Sequence, residues 1–226
     1  MEPVPFVMSG QTLWIRSSHL MTRSERIVFT KPISDLLPPT FTTETARSRG
    51  VHPRDLYAWR DGGDLVELTR GVYRRADALP ASYPDALAVS YRSPRAIVCC
   101  VSAAAVHDLT DEMPAAVQID VPKRAHSPVI DHPLVQVFRF EESLFEVGLS
   151  SFEAAPGERV RIYDPARTVV DLMRFRRRFG EPVAHSSLRR YLDSAASPRP
   201  ALLLEYASVL GVFGPMRVVL DVMSAG

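Results

Sequence analysis

The chain has 226 residues, of which 46 % are hydrophobic and 23 % are charged, and its formal net charge is +1. This is the composition of an ordinary globular protein, and the length allows one large domain or two small ones with their own cores. The sequence contains no run of eighteen apolar residues and no basic start followed by an apolar stretch and a cleavage site. It therefore supports neither a membrane span nor a secretory signal, and we expect a cytoplasmic protein.

Residues 1–20 combine prolines with little periodicity, so we predict a loosely ordered extension before a first domain at 21–79. The informative part of this domain is 41–75, which predicts two short helices followed by a hairpin. Thr42 is a good N-cap for the first helix, Gly50 supplies the turn, and Pro53 suits the first position of the second helix. A hairpin with the turn Thr69-Arg70-Gly71 follows. The sequence therefore predicts a winged helix-turn-helix.

A winged helix of this kind predicts DNA binding. In the second helix Leu56 and Trp59 are expected to face inward, which leaves Arg54 and Tyr57 outward, with Arg60 near the border. The predicted DNA-binding residues are Thr42, Thr43, Arg54, Tyr57, Arg60, Arg70, Arg74 and Arg75. Between residues 23 and 77 there are ten basic and eight acidic side chains. This small excess predicts moderate, salt-sensitive binding, and a scaffold used only for protein contacts stays open as an alternative.

The second predicted domain, 80–226, mixes helices and strands. Helices are expected near 84–91 and 103–107, and alternating residues predict strands at 117–121, 135–140 and 160–163. Helices at 182–194, 199–211 and 215–224 are expected to form a terminal helical subdomain. The predicted fold class is therefore α+β, with a winged helix-turn-helix followed by a mixed domain. The adjacent Cys99 and Cys100 lie in an apolar run and indicate buried structural thiols.

A strand that leads directly into a helix is the second strong local pattern. Asp164 is a suitable N-cap, Pro165 fits the first turn, and apolar residues recur at helical spacing after it. The opposite face carries a row of arginines, which fits either a solvated face or a surface for a partner protein. The predicted partner-binding residues are Arg167, Arg174, Arg177 and Arg178.

Residues suited to catalysis do not form a convincing site. Ser102, His107 and Asp108 belong to one short predicted helix, which cannot present a nucleophile, a base and an orienting carboxylate in relay. Two groups contain the side chains of metal ligands but fit better as a helix end and a polar loop: His107, Asp108, Asp111 and Glu112, and His126, Asp131 and His132. We predict that the protein is not an enzyme and that it uses no metal and no cofactor.

Three stretches together resemble the AbiEi family of antitoxins from bacterial abortive-infection toxin–antitoxin systems. They are the winged-helix residues from Phe41 to Arg74, the segment Ser102 to Val121, and Tyr163-Asp-Pro-Ala-Arg-Thr-Val-Val-Asp-Leu172. The resemblance implies an antitoxin that binds an inverted repeat in operator DNA and represses its own operon. It also implies that the C-terminal domain neutralises a nucleotidyltransferase-type toxin.

Two further hypotheses stay open. One is a winged-helix transcriptional regulator that senses a small ligand and has no toxin partner, which requires an apolar pocket in 80–226. The other is a nuclease, because similar chains continue into an endonuclease domain. The nuclease requires a set of acidic residues downstream that this sequence does not supply.

Overall fold

The computed structural model describes residues 5–8, 11–14, 32–193 and 199–224. The chain divides into two compact units, 1–32 and 33–226. In the first unit, strands β1 (Pro5–Met8) and β2 (Gln11–Trp14) pair antiparallel. Other residues of the predicted extension, and residues 21–31 of the predicted first domain, lie outside the described residues. The predicted domain boundary near residue 80 stays a prediction.

The winged helix occupies the beginning of the second unit. Its elements are α1 (Ile33–Leu36), β3 (Thr40–Thr42), α2 (Thr43–Ser48), α3 (Pro53–Asp61), β4 (Leu65–Thr69) and β5 (Val72–Arg75). The three strands form an antiparallel sheet in the order β3-β5-β4. Buried side chains from α2, α3, the three strands and the connections after α1 and α2 form one core: Leu37, Phe41, Ala46, Val51, Leu56, Leu65 and Tyr73. Strand β3, which was not predicted from the sequence, is an edge strand of this sheet and pairs with β5 of the wing.

A five-stranded mixed sheet forms the centre of the remaining chain. Its strands are β6 (Ile97–Val98), β7 (Val117–Pro122), β8 (Val135–Phe140), β9 (Leu149–Ala155) and β10 (Glu158–Tyr163), in the order β8-β7-β6-β10-β9. Pairs β6–β10 and β7–β8 are parallel, whereas β6–β7 and β9–β10 are antiparallel. Helices α4 (Pro84–Arg92), α5 (Cys100–Val106) and α6 (Glu142–Phe145) belong to the same region.

Five helices complete the described part of the chain. They are α7 (Pro165–Arg174), α8 (Arg176–Phe179), α9 (Glu181–Asp193), α10 (Pro200–Val209) and α11 (Phe213–Ser224). Helix α7 begins as predicted, because the Asp164 side chain accepts a hydrogen bond from the backbone N–H of Arg167 at 2.8 Å and Pro165 occupies the first turn. Residues 166–173 of α7 are all buried. The predicted α+β fold class is confirmed.

Candidate nucleic-acid interface

Helix α3 presents one apolar and one exposed face. It begins after His52, whose Nδ1 accepts a hydrogen bond from the N–H of Arg54 at 3.3 Å. Leu56 is 1 % exposed and anchors the inner face in the winged-helix core. The Arg54 side chain is 61 % exposed and Tyr57 is 51 % exposed. These two side chains therefore lie on the solvent-exposed face of α3.

Arg60 has a more constrained position than Arg54. Its guanidinium forms ion pairs with Asp61 at 3.0 Å and Glu67 at 3.2 Å, and it lies 5.2 Å from the ring centroid of Tyr57. Hydrogen bonds to both carboxylates raise the pKa of Arg60. The carboxylates offset its charge toward an approaching phosphate, so Arg60 is better placed to order Tyr57 than to attract DNA.

The wing turn is held by neighbouring groups and leaves Arg70 exposed at its tip. Gly71 has φ +76°, a conformation that L side chains rarely adopt. Its N–H donates to Glu67 Oε1 at 3.0 Å, and its carbonyl accepts from the Thr43 N–H at 2.9 Å. The turn is thereby fixed against the start of α2, and Arg70 becomes the cation that the wing offers.

Thr42 and Thr43 are partly buried and are used within the fold. Thr42 Oγ1 accepts from the Thr45 N–H at 3.1 Å as the N-cap of α2, which confirms the predicted cap. The Thr43 hydroxyl donates to the Gly71 carbonyl at 3.3 Å. Both were predicted to bind DNA, and both also hold the geometry that presents Arg70.

Arg74 is not part of the exposed surface, although it follows the wing turn closely. Its side chain is 8 % exposed and forms an ion pair with Glu158, whose side chain is 11 % exposed. The guanidinium also donates to Thr40 Oγ1 at 2.6 Å and to the Leu79 carbonyl. The prediction that Arg74 contacts DNA was wrong, because a partner 84 residues away in the chain buries it.

Tyr91 extends the network around this ion pair. Its hydroxyl lies 3.1 Å from the Thr40 carbonyl, to which it donates, and 3.3 Å from Glu158. Burial, followed by the nearby charge of Glu158, raises the pKa of Tyr91 to about 12. The group of Arg74, Glu158, Thr40 and Tyr91, named here the junction network, joins the wing sheet to strand β10 and helix α4.

The Arg75 side chain is also mostly buried and is bonded within the fold. It is 13 % exposed, and its Nε donates to Asp77 at 2.8 Å. Nη1 donates to the Leu37 carbonyl at 2.9 Å. Arg75 thus secures the end of α1 to the end of the wing, and the structure does not support its predicted contact with DNA.

Sequence reasoning did not single out Arg47, which lies on the exposed side of α2. Arg47 directly follows the buried Ala46 in the sequence. Because α2 has only six residues, the sequence pattern is too short to show which of them face inward and which face outward. Of the predicted DNA-binding residues, Arg54, Tyr57 and Arg70 are exposed on the winged helix, and Arg47 is exposed on the same module.

The four arginines predicted to bind a partner protein separate into buried and exposed groups. Arg167 is 0 % exposed and forms an ion pair with Asp171 at 2.9 Å. It also donates to the carbonyls of Leu144 at 2.9 Å and Val147 at 2.6 Å. The prediction of a solvated or docking role for Arg167 was wrong, because α7 is buried on all sides.

Gly148 allows this burial. It has φ +73°, and a Cβ at this position would lie 2.6 Å from Cβ of Arg167. The close approach brings the loop after α6 onto the Arg167 side chain. Burial raises the pKa of Asp171 to about 6, while the guanidinium of Arg167 opposes that rise.

The remaining predicted arginines lie at or near an aromatic cluster next to β8. Arg178 is exposed, and its guanidinium lies 4.6 Å from the ring centroid of Phe138. Arg174 is half-buried and lies 5.0 Å from the ring centroid of Phe140. Arg177 is exposed. Only Arg177 and Arg178 are therefore fully available to a partner.

The residues considered for catalysis do not form a relay. His107 Nε2 lies 2.7 Å from the Tyr163 carbonyl, and burial lowers the pKa of the imidazole. The Ser102 hydroxyl instead contacts the Ala116 carbonyl and accepts from the Gln118 N–H at 2.9 Å.

In the described part of the chain, no three His, Cys, Asp or Glu side chains are grouped as metal ligands would be. No helix among the described residues has both the length and the apolar character needed to cross a membrane.

A winged helix that exposes cationic and aromatic side chains on α3 and at the wing tip is typical of a class of transcriptional regulators. Residues 34–76, which include this winged helix, match the model of the family described as "Transcriptional regulator, AbiEi antitoxin". The match confirms the resemblance inferred from the sequence for the winged-helix stretch, and it does not extend to the segments 102–121 and 163–172. A comparison with curated proteins gives no match.

The fold is also similar to a solved structure, the RV2827C protein from Mycobacterium tuberculosis. The TM-score is 0.57 at 18 % sequence identity, and the alignment covers 81 % of this chain and 72 % of that chain. At this identity the similarity concerns the fold alone. It extends beyond the winged helix into the α+β region, because the covered share is far larger than residues 34–76.

Proposed function

We propose that the protein is the antitoxin of a bacterial toxin–antitoxin system and represses its own operon by binding an inverted repeat in operator DNA. The observation that carries this proposal is the coincidence of the AbiEi family match, residues 34–76, with a winged helix that exposes Arg54, Tyr57 and Arg70. Guanidinium groups bind phosphates and the O6 and N7 acceptors of guanine, and an aromatic ring at mid-helix can pack on a thymine methyl. The contacts assigned to DNA are therefore chemically suited to it.

The charges of this surface set the expected strength of binding. Arg60, Arg74 and Arg75 are neutralised by carboxylates within the fold, and Arg54 lies 3.5 Å from an Asp55 carboxylate oxygen, although its side chain is 61 % exposed. The remaining exposed cations are few, so we expect a shallow dependence of log affinity on log salt, with each phosphate contact contributing about 0.9 to the slope. Specificity then depends mainly on Arg54 and Tyr57, which lie on the helix that enters the groove.

An electrophoretic shift assay tests this half of the proposal. The DNA is the fragment upstream of the protein's own gene, and an unrelated fragment of equal length is the competitor. We expect the upstream fragment to be preferred, Arg54→Ala to weaken that preference, and Arg177→Ala to leave it unchanged, because Arg177 lies outside the winged helix. Equal binding to both fragments by the unaltered protein contradicts operator recognition.

For toxin neutralisation we propose that the partner is a nucleotidyltransferase-type toxin that docks at Arg177 and Arg178. The support is the exposure of both side chains and the stacking of the Arg178 guanidinium on Phe138, which gives one of them a fixed position. Arginine is a common anchor at protein interfaces. The positive charges of Arg177 and Arg178 would be complemented by an acidic surface on the toxin.

Coexpression with the toxin encoded next to the gene tests this assignment. We expect the Arg177→Glu/Arg178→Glu variant to lose rescue of growth, while Arg189→Glu, an exposed charge reversal on α9, keeps it. Full rescue by the double variant, at equal protein level, contradicts the assigned docking surface. An absence of any toxic neighbour gene instead favours the ligand-responsive regulator.

A further inference from the structure

The wing tip does not end in open solvent but lies against the α+β region. Thr69, Arg70 and Gly71 line a cleft of about 290 Å³ together with Arg92, Val129 and Asp131. The first three residues belong to the wing, Arg92 is the last residue of α4, and the other two belong to the connection between β7 and β8. We name these six residues the wing cleft.

Two guanidinium groups from different parts of the fold line this cleft. Arg70 and Arg92 are both exposed. Arg92 Nη2 donates to the Val129 carbonyl at 3.3 Å, which fixes the guanidinium at the cleft while using one of its five N–H donors. Its other donors have no bonding partner among residues 32–193 and 199–224. Arg92 is therefore oriented and still able to bind an anionic oxygen.

The connection on the far side of the cleft is itself braced. Arg139 donates to the carbonyls of Lys123 at 3.2 Å and Ala125 at 2.6 Å, and to Ser127 Oγ at 2.8 Å. This bracing shapes the start of the segment that reaches Val129 and Asp131. A pre-shaped wall loses less conformational entropy when a ligand binds.

We propose that the wing cleft binds the phosphate backbone of DNA, and that Arg92, outside the winged helix, supplies a phosphate contact beside Arg70. This inference rests on the proposed function and extends the DNA surface onto the α+β region. DNA is favoured over a free anion because the cleft is continuous with the wing, which in winged-helix proteins lies along the duplex.

Asp131 lines the same cleft and acts against DNA binding. A carboxylate beside two phosphate-binding arginines weakens attraction to DNA, so Asp131→Asn is expected to strengthen binding to any duplex. Arg92→Ala is expected to weaken binding by about 2- to 5-fold, the range for an exposed charge pair, and to lower the salt slope by about 0.9. Arg95→Ala is the matched control, because Arg95 is also exposed near the end of α4 but does not line the cleft.

The test is a titration of the full chain against labelled operator DNA at several salt concentrations, with thermal unfolding of each variant as a check of folding. A lower slope for Arg92→Ala with an unchanged slope for Arg95→Ala supports the inference, and Arg92→Glu is expected to exceed the effect of Arg92→Ala. If Arg70→Ala weakens binding and both Arg92 variants do not, the inference is overturned while the proposed function stands.

Two other outcomes are informative. If the unaltered chain does not bind the operator fragment, the proposed function fails and the inference fails with it. If inorganic phosphate alone binds saturably in an Arg92-dependent manner and Arg92→Ala leaves DNA affinity intact, the cleft is a site for a free anion, which also overturns the inference.

Discussion

Breaking the buried ion pair between Arg74 and Glu158 is expected to destabilise the whole second unit. Both side chains are about nine-tenths buried, with exposed fractions of 8 % and 11 %. Removing one partner of such a pair leaves the other as an uncompensated buried charge and costs about 3–5 kcal/mol. Arg74→Ala also leaves Thr40 Oγ1 and the Leu79 carbonyl without their donor, so the upper part of that range is expected.

Urea denaturation followed by far-UV circular dichroism measures this destabilisation. With a slope of about 3 kcal/mol per molar urea for a chain of this size, the midpoint of Arg74→Ala falls by at least about 1 M. Arg70→Ala is the matched control, because it removes an exposed arginine from the same hairpin and is expected to change stability by less than about 0.5 kcal/mol.

The double variant Arg74→Met/Glu158→Leu separates the effect of the unpaired charge from the effect of packing. Replacing a buried pair by apolar residues of similar volume is often neutral or stabilising, so the double variant should be more stable than either single alanine variant. The reasoning is refuted if Arg74→Ala costs less than about 1 kcal/mol, or if the double variant is destabilised by the sum of the single effects.

Three further predictions concern the α+β region. Gly148→Ala should cost at least about 2 kcal/mol, because it combines a positive φ with a contact of 2.6 Å to Arg167 Cβ. Its control is Gly157→Ala, at φ +75° with nothing within 4 Å, which should cost about 1 kcal/mol in the same denaturation assay. Equal costs for the two variants would contradict the close-approach argument. Burial raises the pKa of Asp120 from 3.8 to about 6, so the folded chain holds this proton more tightly and the free energy of unfolding should fall as pH rises through this window. At about 1.4 kcal/mol for a pKa difference of one, the contribution of Asp120 to this fall is about 3 kcal/mol. Asp120→Asn should remove that contribution and keep the one from Asp171, whose pKa is also raised to about 6; a difference between the two proteins that does not change with pH would refute it. Arg167→Met should cost about 3–5 kcal/mol at neutral pH by leaving the buried Asp171 carboxylate without its counter-ion, and a cost below about 1 kcal/mol would show that the pair is not needed.

Local chemistry predicted much of the fold. Helix α3 begins at Pro53, the wing turn has its glycine at positive φ, and α7 follows the N-cap Asp164. These features depend on residues within one or two turns of each other, where capping and backbone preferences dominate. Strand β9 carries no such local signal, because its exposed start and buried end do not alternate regularly.

The candidate site was harder to predict because burial depends on contacts that are distant in sequence. Arg70 and Arg74 belong to the same hairpin, yet only Arg74 meets Glu158 across 84 residues. The sequence pattern around Arg167 predicts an amphipathic helix, but neighbouring elements cover it on all sides, so its polar face is an internal ion pair with Asp171. Arg92 carries no local signal of its own, because only the fold brings the end of α4 to the wing.

The most direct test of the central claim is the salt dependence of binding to the DNA upstream of the protein's own gene, measured by fluorescence anisotropy for the unaltered chain, Arg54→Ala and Arg70→Ala. We expect the unaltered chain to prefer this DNA to an unrelated duplex. Each variant should bind it more weakly, with the log–log salt slope lowered by about 0.9 for each phosphate that the variant no longer neutralises. Binding that shows no preference for the upstream DNA, or that both substitutions leave unchanged, would contradict the claim that this winged helix recognises an operator.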